Sequence, residues 1–281
     1  MSASTNASGQ GPDLRNMAGR LVLVGAGKMG GALLEGWLRG GLSPTKLAVI
    51  EPKPSPQIAA LVNRGLALNP DKLADVTAIV VAVKPQIAGE VLPGLAAMIG
   101  RSTVVVSIMA GRTLQFLSSA LKDASALVRA MPNLPAAIGR GITVAVARNA
   151  SASQRELAHR LLSATGTVEW VEDETLLDAV TAVSGSGPAY VFLLAETLAQ
   201  AATAAGLPPP LAEKLARETV AGAGELLRQS DVDAAALRAN VASPGGTTAA
   251  ALDVLMGENG LAALIKKAVA AATARSRKLA D

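Results

Sequence analysis

Leu21-Val22-Leu23-Val24-Gly25-Ala26-Gly27-Lys28-Met29-Gly30 decides the fold. Four apolar residues run straight into a G-x-G-x-x-G motif, and Leu33, Leu34, Trp37 and Leu38 then recur at helical spacing. This is a strand, a tight turn and a helix. Each glycine has a separate task in such a turn: bending the chain, letting the backbone approach a pyrophosphate, and letting the helix lie close on the strand. Glu51 follows roughly twenty residues later, at the end of the next apolar run, where a carboxylate can accept from a ribose 2′-hydroxyl. Gly25, Ala26, Gly27, Lys28, Met29, Gly30 and Glu51 are therefore candidate dinucleotide-binding residues.

Further strands are predicted at 46–50, 77–83, 103–108, 126–129, 142–146 and near 168–171. Helical segments of ten to fifteen residues separate most of them, which implies βαβ units in a mostly parallel sheet. Unbroken Val/Ile runs such as Ile79–Val83 suit strands buried on both faces. Ligands of open parallel sheets sit beyond the carboxyl ends of the strands. That adds Ala82, Val83, Lys84, Pro85, Met109, Ala110 and Gly111 to the cofactor wall. Lys53, two residues past Glu51, offers a cation to the 2′-phosphate of NADP, so NADH and NADPH both stay open, with Glu51 leaning towards NADH.

After about residue 172 the β-branched runs stop. The chain becomes Ala/Leu-rich helix broken at Gly206-Leu207-Pro208, Ser230-Asp231, Ser243–Gly246 and Gly257–Gly260. The predicted class is α/β: an N-terminal Rossmann-type, mostly parallel sheet over 19–172 and a C-terminal all-helical dimerisation domain over 173–281. Residues 1–18, polar and without an apolar stretch, read as a disordered tail rather than a signal peptide, which sets the expected location in the cytoplasm.

Composition narrows the chemistry. Half of the 281 residues are hydrophobic and 17% charged, with 2% aromatic. Such a core is built from Ala, Leu and Val, and small side chains favour close helix–helix contact. With no cysteine, disulfides and thiolate chemistry are excluded. The single histidine, His159, reads as a surface residue, and no metal site is expected. A net charge of +4 with almost no aromatics to stack on bases gives nucleic-acid binding little support. The charge-free stretch 179–195 is short for a membrane span and holds Ser184-Gly185-Ser186-Gly187-Pro188, so it reads as a buried helical interface.

Ser243-Pro244-Gly245-Gly246-Thr247-Thr248 is a second candidate site. Paired glycines let successive N–H groups converge, and the following helix adds its unpaired donors and positive dipole end. Hydroxyls complete a cradle for a small carboxylate or phosphate. Ser and Thr before a helix are equally ordinary caps, so the residues alone leave cap and cradle open.

Three motifs in this order, the GAGKMG turn, Ser184-Gly185-Ser186-Gly187-Pro188-Ala189-Tyr190 and Ser243–Ala249, with Arg129-Ala130-Met131-Pro132-Asn133 between them, resemble the pyrroline-5-carboxylate reductases. The resemblance spans roughly residues 20–275. It implies NAD(P)H-dependent reduction of pyrroline-5-carboxylate to proline by an enzyme that dimerises through its C-terminal helices and assembles further into a ring. It also implies that Ser243, Gly246, Thr247 and Thr248 bind the carboxylate and ring nitrogen, with the Thr248 hydroxyl hydrogen-bonded to the nitrogen as the catalytic contact. Glu174 is then expected near the substrate, and Asn69 and Asn240 at the cofactor. Two rivals are a β-hydroxyacid dehydrogenase, for which Lys214 is the only lysine between Met131 and Lys266, and a non-catalytic NAD(P)-binding protein, which needs no second anion cradle.

Overall fold

The computed structural model describes residues 11–122, 124 and 126–280. Positions 1–10 of the expected tail lie outside the described residues. The rest of that segment corrects the expectation: Leu14 is 0% and Met17 2% exposed, and the Leu14 N–H donates to the Gly40 carbonyl at 2.8 Å. Burying two large apolar side chains stabilises this stretch by about 1.5–3 kcal/mol each, enough to hold an otherwise polar run against the sheet domain.

The chain forms two compact units, one reaching to Gly185 and taking up the chain again from Ala274, the other Ser186–Thr273. In the first, strands β1 (Arg20–Val24), β2 (Leu47–Ile50), β3 (Ala67–Leu68), β4 (Val76–Val81), β5 (Val104–Ser107), β6 (Ala126–Met131), β7 (Gly141–Arg148) and β8 (Gly166–Trp170) make one sheet. Their spatial order is β3-β2-β1-β4-β5-β6-β7-β8. The first six are parallel in the 3-2-1-4-5-6 order of dinucleotide-binding sheets. β7 turns antiparallel against β6, and β8 runs parallel to β7. The mostly parallel sheet expected from the sequence is present. Two-residue β3 was not foreseen, being too short to show any period.

Helices α1 (Lys28–Arg39), α2 (Pro56–Val62), α3 (Ala88–Val91), α4 (Leu114–Ala120), α5 (Ala152–Leu162) and α6 (Leu176–Val180) accompany the strands. Alternate residues of β1 enter different cores. Leu21 and Leu23 pack with Leu33, Trp37 and Leu161, whereas Val22 and Val24 pack with Leu92, Leu95 and Leu117. A strand buried on both faces must be apolar throughout, which is what the opening run shows. Trp37 is fully buried and its indole N–H donates to the Leu161 carbonyl at 2.8 Å, so its one polar atom is satisfied. His159 is half-buried rather than free on the surface, since its Nδ1 accepts from the Trp170 indole at 3.2 Å.

The second unit is helical: α7 (Gly187–Ala204), α8 (Pro209–Gln229), α9 (Ala234–Asn240), α10 (Thr247–Leu255) and α11 (Leu261–Ala280), whose last turns belong to the first unit. Every break falls at a Gly, Pro or Ser cluster seen in the sequence. Pro188 lies in the first turn of α7, where its missing N–H costs nothing. Within 186–273 only Ala212 and Ala216 are buried, while Phe192 stays 59% and Leu193 56% exposed. These helices have no core of their own in one copy.

Candidate active site

The glycine turn meets the three requirements read from its spacing. Gly25 has φ +87°, and a Cβ there would lie 2.9 Å from the Ala82 carbonyl group. A Cβ on Gly30 would fall under 3.0 Å from the Gly25 carbonyl oxygen and 3.1 Å from the Ala82 Cβ, so α1 lies directly on the strand end. A Cβ on Gly27 would meet nothing within 4 Å. It would point instead into an open cleft of about 270 Å³ lined by Gly27, Lys28, Gly31, Ala32, Glu35 and Ala137. Gly27 is the N-cap of α1 and supplies no side-chain cap, which leaves first-turn N–H donors for an anion. The space and the donor set fit a dinucleotide pyrophosphate. Met29 sits half-buried against the core under this turn.

Glu51 leaves β2 beside the turn, where Val24 pairs with Ile50. Its Oε2 accepts from the Ala26 N–H at 2.9 Å and its Oε1 from the Lys53 N–H at 3.1 Å. Asn69 does not reach outward. Its Oδ1 accepts from the Glu51 N–H at 2.8 Å and its Nδ2 donates to the Glu51 carbonyl at 3.1 Å. The Asn69 side-chain amide thus clamps the Glu51 backbone at the end of β2. Beside it opens a cavity of about 300 Å³ lined by Ile50, Asn69, Pro70, Asp71, Val91, Gly94, Leu95 and Met98, apolar enough for a base.

β4 ends at Val81, two residues earlier than predicted. The Ala82 N–H still bonds the Val24 carbonyl at 2.7 Å, and Lys84 then caps a 3₁₀ turn starting at Pro85. Ala82 and Val83 are half-buried and Lys84 is exposed at this strand end. After β5, Met109 turns its side chain into the core at 2% exposure, so only its backbone faces the strand ends. Ala110 is exposed, and Gly111 takes φ +71° with the Leu279 carbonyl 3.1 Å from where a Cβ would be. Sequence reasoning missed Arg112, whose Nε and one terminal nitrogen donate to the Pro85 carbonyl at 3.1 and 2.9 Å. Its guanidinium lies 4.6 Å over Phe116, so it ties the two strand-end loops together. A lone arginine after a strand-end glycine was the available signal.

Glu174 lies just before α6. Its Oε1 accepts from Arg129, in a 2.8 Å ion pair with side-chain exposures of 7% for Arg129 and 23% for Glu174, and from the Leu114 N–H at 2.8 Å. The carboxylate therefore clips β6 to the start of α4. Arg129 is the buried partner. The Ser-Gly run continues α6 as a π-turn over Thr181–Gly185, and a Cβ on Gly185 would press within 2.6 Å of the Met131 methyl. The Ser184 Oγ is buried there without a hydrogen-bond partner. Single-turn π geometry recurs at functional sites.

The other unit carries the second cradle. Gly245 has φ +68° and Gly246 is the N-cap of α10, with Thr247 and Thr248 in its first turn. A glycine cap has no side chain, so the opening N–H groups of α10 are not capped by Gly246. A Cβ on Gly246 would lie 2.5 Å from the Ser243 Oγ and 3.1 Å from the Ser243 carbonyl oxygen, so the turn is packed closely against Ser243. Asn240 is exposed at the end of α9 in this same unit. No group of three or more His, Asp or Glu able to hold a metal occurs among the described residues.

Residues 174–279 match the family model described as pyrroline-5-carboxylate reductase dimerisation, and residues 20–111 match one described as NADP oxidoreductase, coenzyme F420-dependent. The pyrroline-5-carboxylate reductase of Pseudomonas aeruginosa is 36% identical over 266 residues, covering 93% of this chain and 97% of that protein. The structure of a pyrroline-5-carboxylate reductase from Coxiella burnetii superposes with a TM-score of 0.86 at 32% identity, covering 94% of this chain and 99% of the other. Plasmodium falciparum pyrroline carboxylate reductase, solved with NADP bound, gives a TM-score of 0.77 at 28% identity over 95% of this chain and 99% of that one. Both units, their order and nearly the full length are thus matched, and the chain belongs to the pyrroline-5-carboxylate reductase family.

Proposed function

We propose that the chain reduces L-1-pyrroline-5-carboxylate to L-proline with NADH or NADPH, the last step of proline biosynthesis. The observation that carries this reading is the Ser243–Thr248 turn, an anion cradle whose helix has a glycine N-cap, in a chain of this family. The cap alternative weakens because the N-cap position itself is Gly246.

When bound, the reduced nicotinamide supplies a hydride. The chain's own task is placement, and placement alone can lower a barrier by about 7–11 kcal/mol. Gly25, Ala26, Gly27 and Gly30, with the N–H groups of Lys28 and Met29, shape the pyrophosphate site, the Ala26 N–H itself being taken by Glu51. Glu51 and the Lys53 backbone border the ribose. Ala82, Val83, Lys84, Pro85, Ala110, Gly111 and the Met109 backbone wall the strand ends, and Asn69 and Asn240 are the further cofactor contacts that family membership implies. Ser243, Gly246 and Thr247 hold the substrate carboxylate, the Thr248 hydroxyl hydrogen-bonds the ring nitrogen, and Glu174 borders the substrate pocket. A protonated imine brings its own proton, so no strong general acid is needed. That suits a chain whose one histidine is engaged by Trp170.

The exposed apolar faces of α7 and α8 are covered by a second copy, giving a homodimer, and dimers close into a ring. By length and composition the helical stretch Leu176–Ala204 is apolar enough to cross a membrane, with 11% of its window buried. A partner subunit accounts for that exposure without one, and the cytoplasm is the proposed location.

The test is full-length protein with pyrroline-5-carboxylate and NADH or NADPH, following reduced-nicotinamide absorbance and proline. Loss of absorbance with matching proline supports the reading. Intact coenzyme in protein that binds the nucleotide refutes it and favours a binding module.

A further inference from the structure

We propose that Glu51 makes this chain select NADH over NADPH, by occupying the place that a ribose 2′-phosphate needs. This deepens the reductase reading and rests on it for the identity of the coenzyme.

Fixation of the carboxylate is the first observation. The Gly25 N–H bonds the Ile50 carbonyl at 2.9 Å, which joins the glycine turn to the end of β2. One residue on, the two Glu51 oxygens rest on two backbone donors, Ala26 at 2.9 Å and Lys53 at 3.1 Å. The Asn69 amide holds the Glu51 main chain from the other side through both its donor and its acceptor. Asn69 does so from φ +49°, in the left-handed region that asparagine enters more readily than most residues. Backbone and carboxylate are thus each held by two hydrogen bonds.

Charge is the second. An acid at this point of a dinucleotide fold accepts from the ribose 2′-hydroxyl, and an arginine nearby is what accommodates a 2′-phosphate. No arginine occurs between Arg39 and Arg64. Lys53 is the one cation close in sequence past β2, and its backbone N–H already serves the carboxylate. A phosphate monoester, carrying more than one negative charge at neutral pH, would meet a fixed anion with no bidentate cation to offset it.

The experiment is calorimetric titration of the full-length protein with NADH and NADPH, without imine, for the natural chain and for Glu51→Gln, Glu51→Ser and Lys53→Ala. NADH is expected to bind at least tenfold more tightly than NADPH. Glu51→Gln, which keeps shape and removes charge, should cut that ratio about tenfold, and Glu51→Ser should invert it. Equal or tighter NADPH binding by the natural chain overturns the proposal, whether or not any variant folds. So does an unchanged ratio in Glu51→Gln, or a selective loss of NADPH affinity in Lys53→Ala, which would assign the phosphate to Lys53. Discrimination in a protein that never reduces pyrroline-5-carboxylate would leave Glu51 in its role and sink the reductase reading. Turnover with both coenzymes at equal affinity would do the reverse.

Discussion

Gly27→Ala and Gly30→Ala add the same methyl group to one turn, and the geometry gives them different consequences. At Gly30 the new Cβ would lie under 3.0 Å from the Gly25 carbonyl oxygen, an atom of the backbone, and 3.1 Å from the Ala82 Cβ. Nothing flexible can yield, so α1 must back away from the strand. Overpacking of this kind costs about 1–3 kcal/mol, and a backbone obstacle puts Gly30 near the upper figure. For a domain of this size that is a fall in melting midpoint of about 6–12 °C. At Gly27 the backbone has φ −67° in the extended region, which alanine adopts freely, and the Cβ meets no protein atom within 4 Å. Its stability should stay within about 0.5 kcal/mol of the natural chain. The methyl group would instead stand in the cleft, and NADH affinity should fall about tenfold, or roughly 1.4 kcal/mol. Thermal melts followed by circular dichroism, paired with calorimetric titration of NADH, separate the two. A Gly27→Ala protein that binds NADH as tightly as the natural one refutes the pyrophosphate cleft. A Gly30→Ala protein with an unshifted midpoint refutes the packing argument.

Glu174→Ala leaves the Arg129 guanidinium, 7% exposed, without a counter-charge. A loss of about 3 kcal/mol by urea unfolding is expected, largely restored when Arg129→Met is added, and simple additivity of the two losses would contradict the clamp. In the proposed role of Thr248, Thr248→Ala would remove a hydrogen bond to a charged ring, worth about 1.5–3 kcal/mol, so turnover should drop roughly tenfold to a hundredfold while NADH affinity holds. Unaltered kinetics would take Thr248 out of the reaction. Phe192→Glu places a charge on the apolar α7 face at a residue that is 59% exposed in one copy, and sedimentation velocity should show monomers. A dimer that survives the change would move the interface elsewhere.

The sheet was legible because its strands bury both faces. Leu21–Val24, Ile79–Val81 and Val104–Val106 are apolar without interruption. The helical breaks were legible because Gly, Pro and Ser cluster at each of them. Three features were not. β3 is two residues long, below any period. Leu14 and Met17 are single apolar residues in a polar stretch, and only tertiary contact reveals their burial. β7 reads like any parallel strand, and its reversal depends on a short loop, Pro132–Arg140, that no pattern marks. At the site, spacing alone identified the glycine turn and Glu51. What Asn69, Arg112 and Glu174 do was hidden, because each acts across 18, 27 or 45 residues of chain, as in the Asn69–Glu51, Arg112–Pro85 and Glu174–Arg129 contacts.

The most direct measurement is the fate of the hydride. Full-length protein is given pyrroline-5-carboxylate and NADH carrying deuterium at both C4 positions, and the product is analysed by mass spectrometry and NMR. Proline with one deuterium, located at C5, is the predicted result. Proline without label, label at another carbon, or oxidised coenzyme without proline would contradict direct reduction of the cyclic imine.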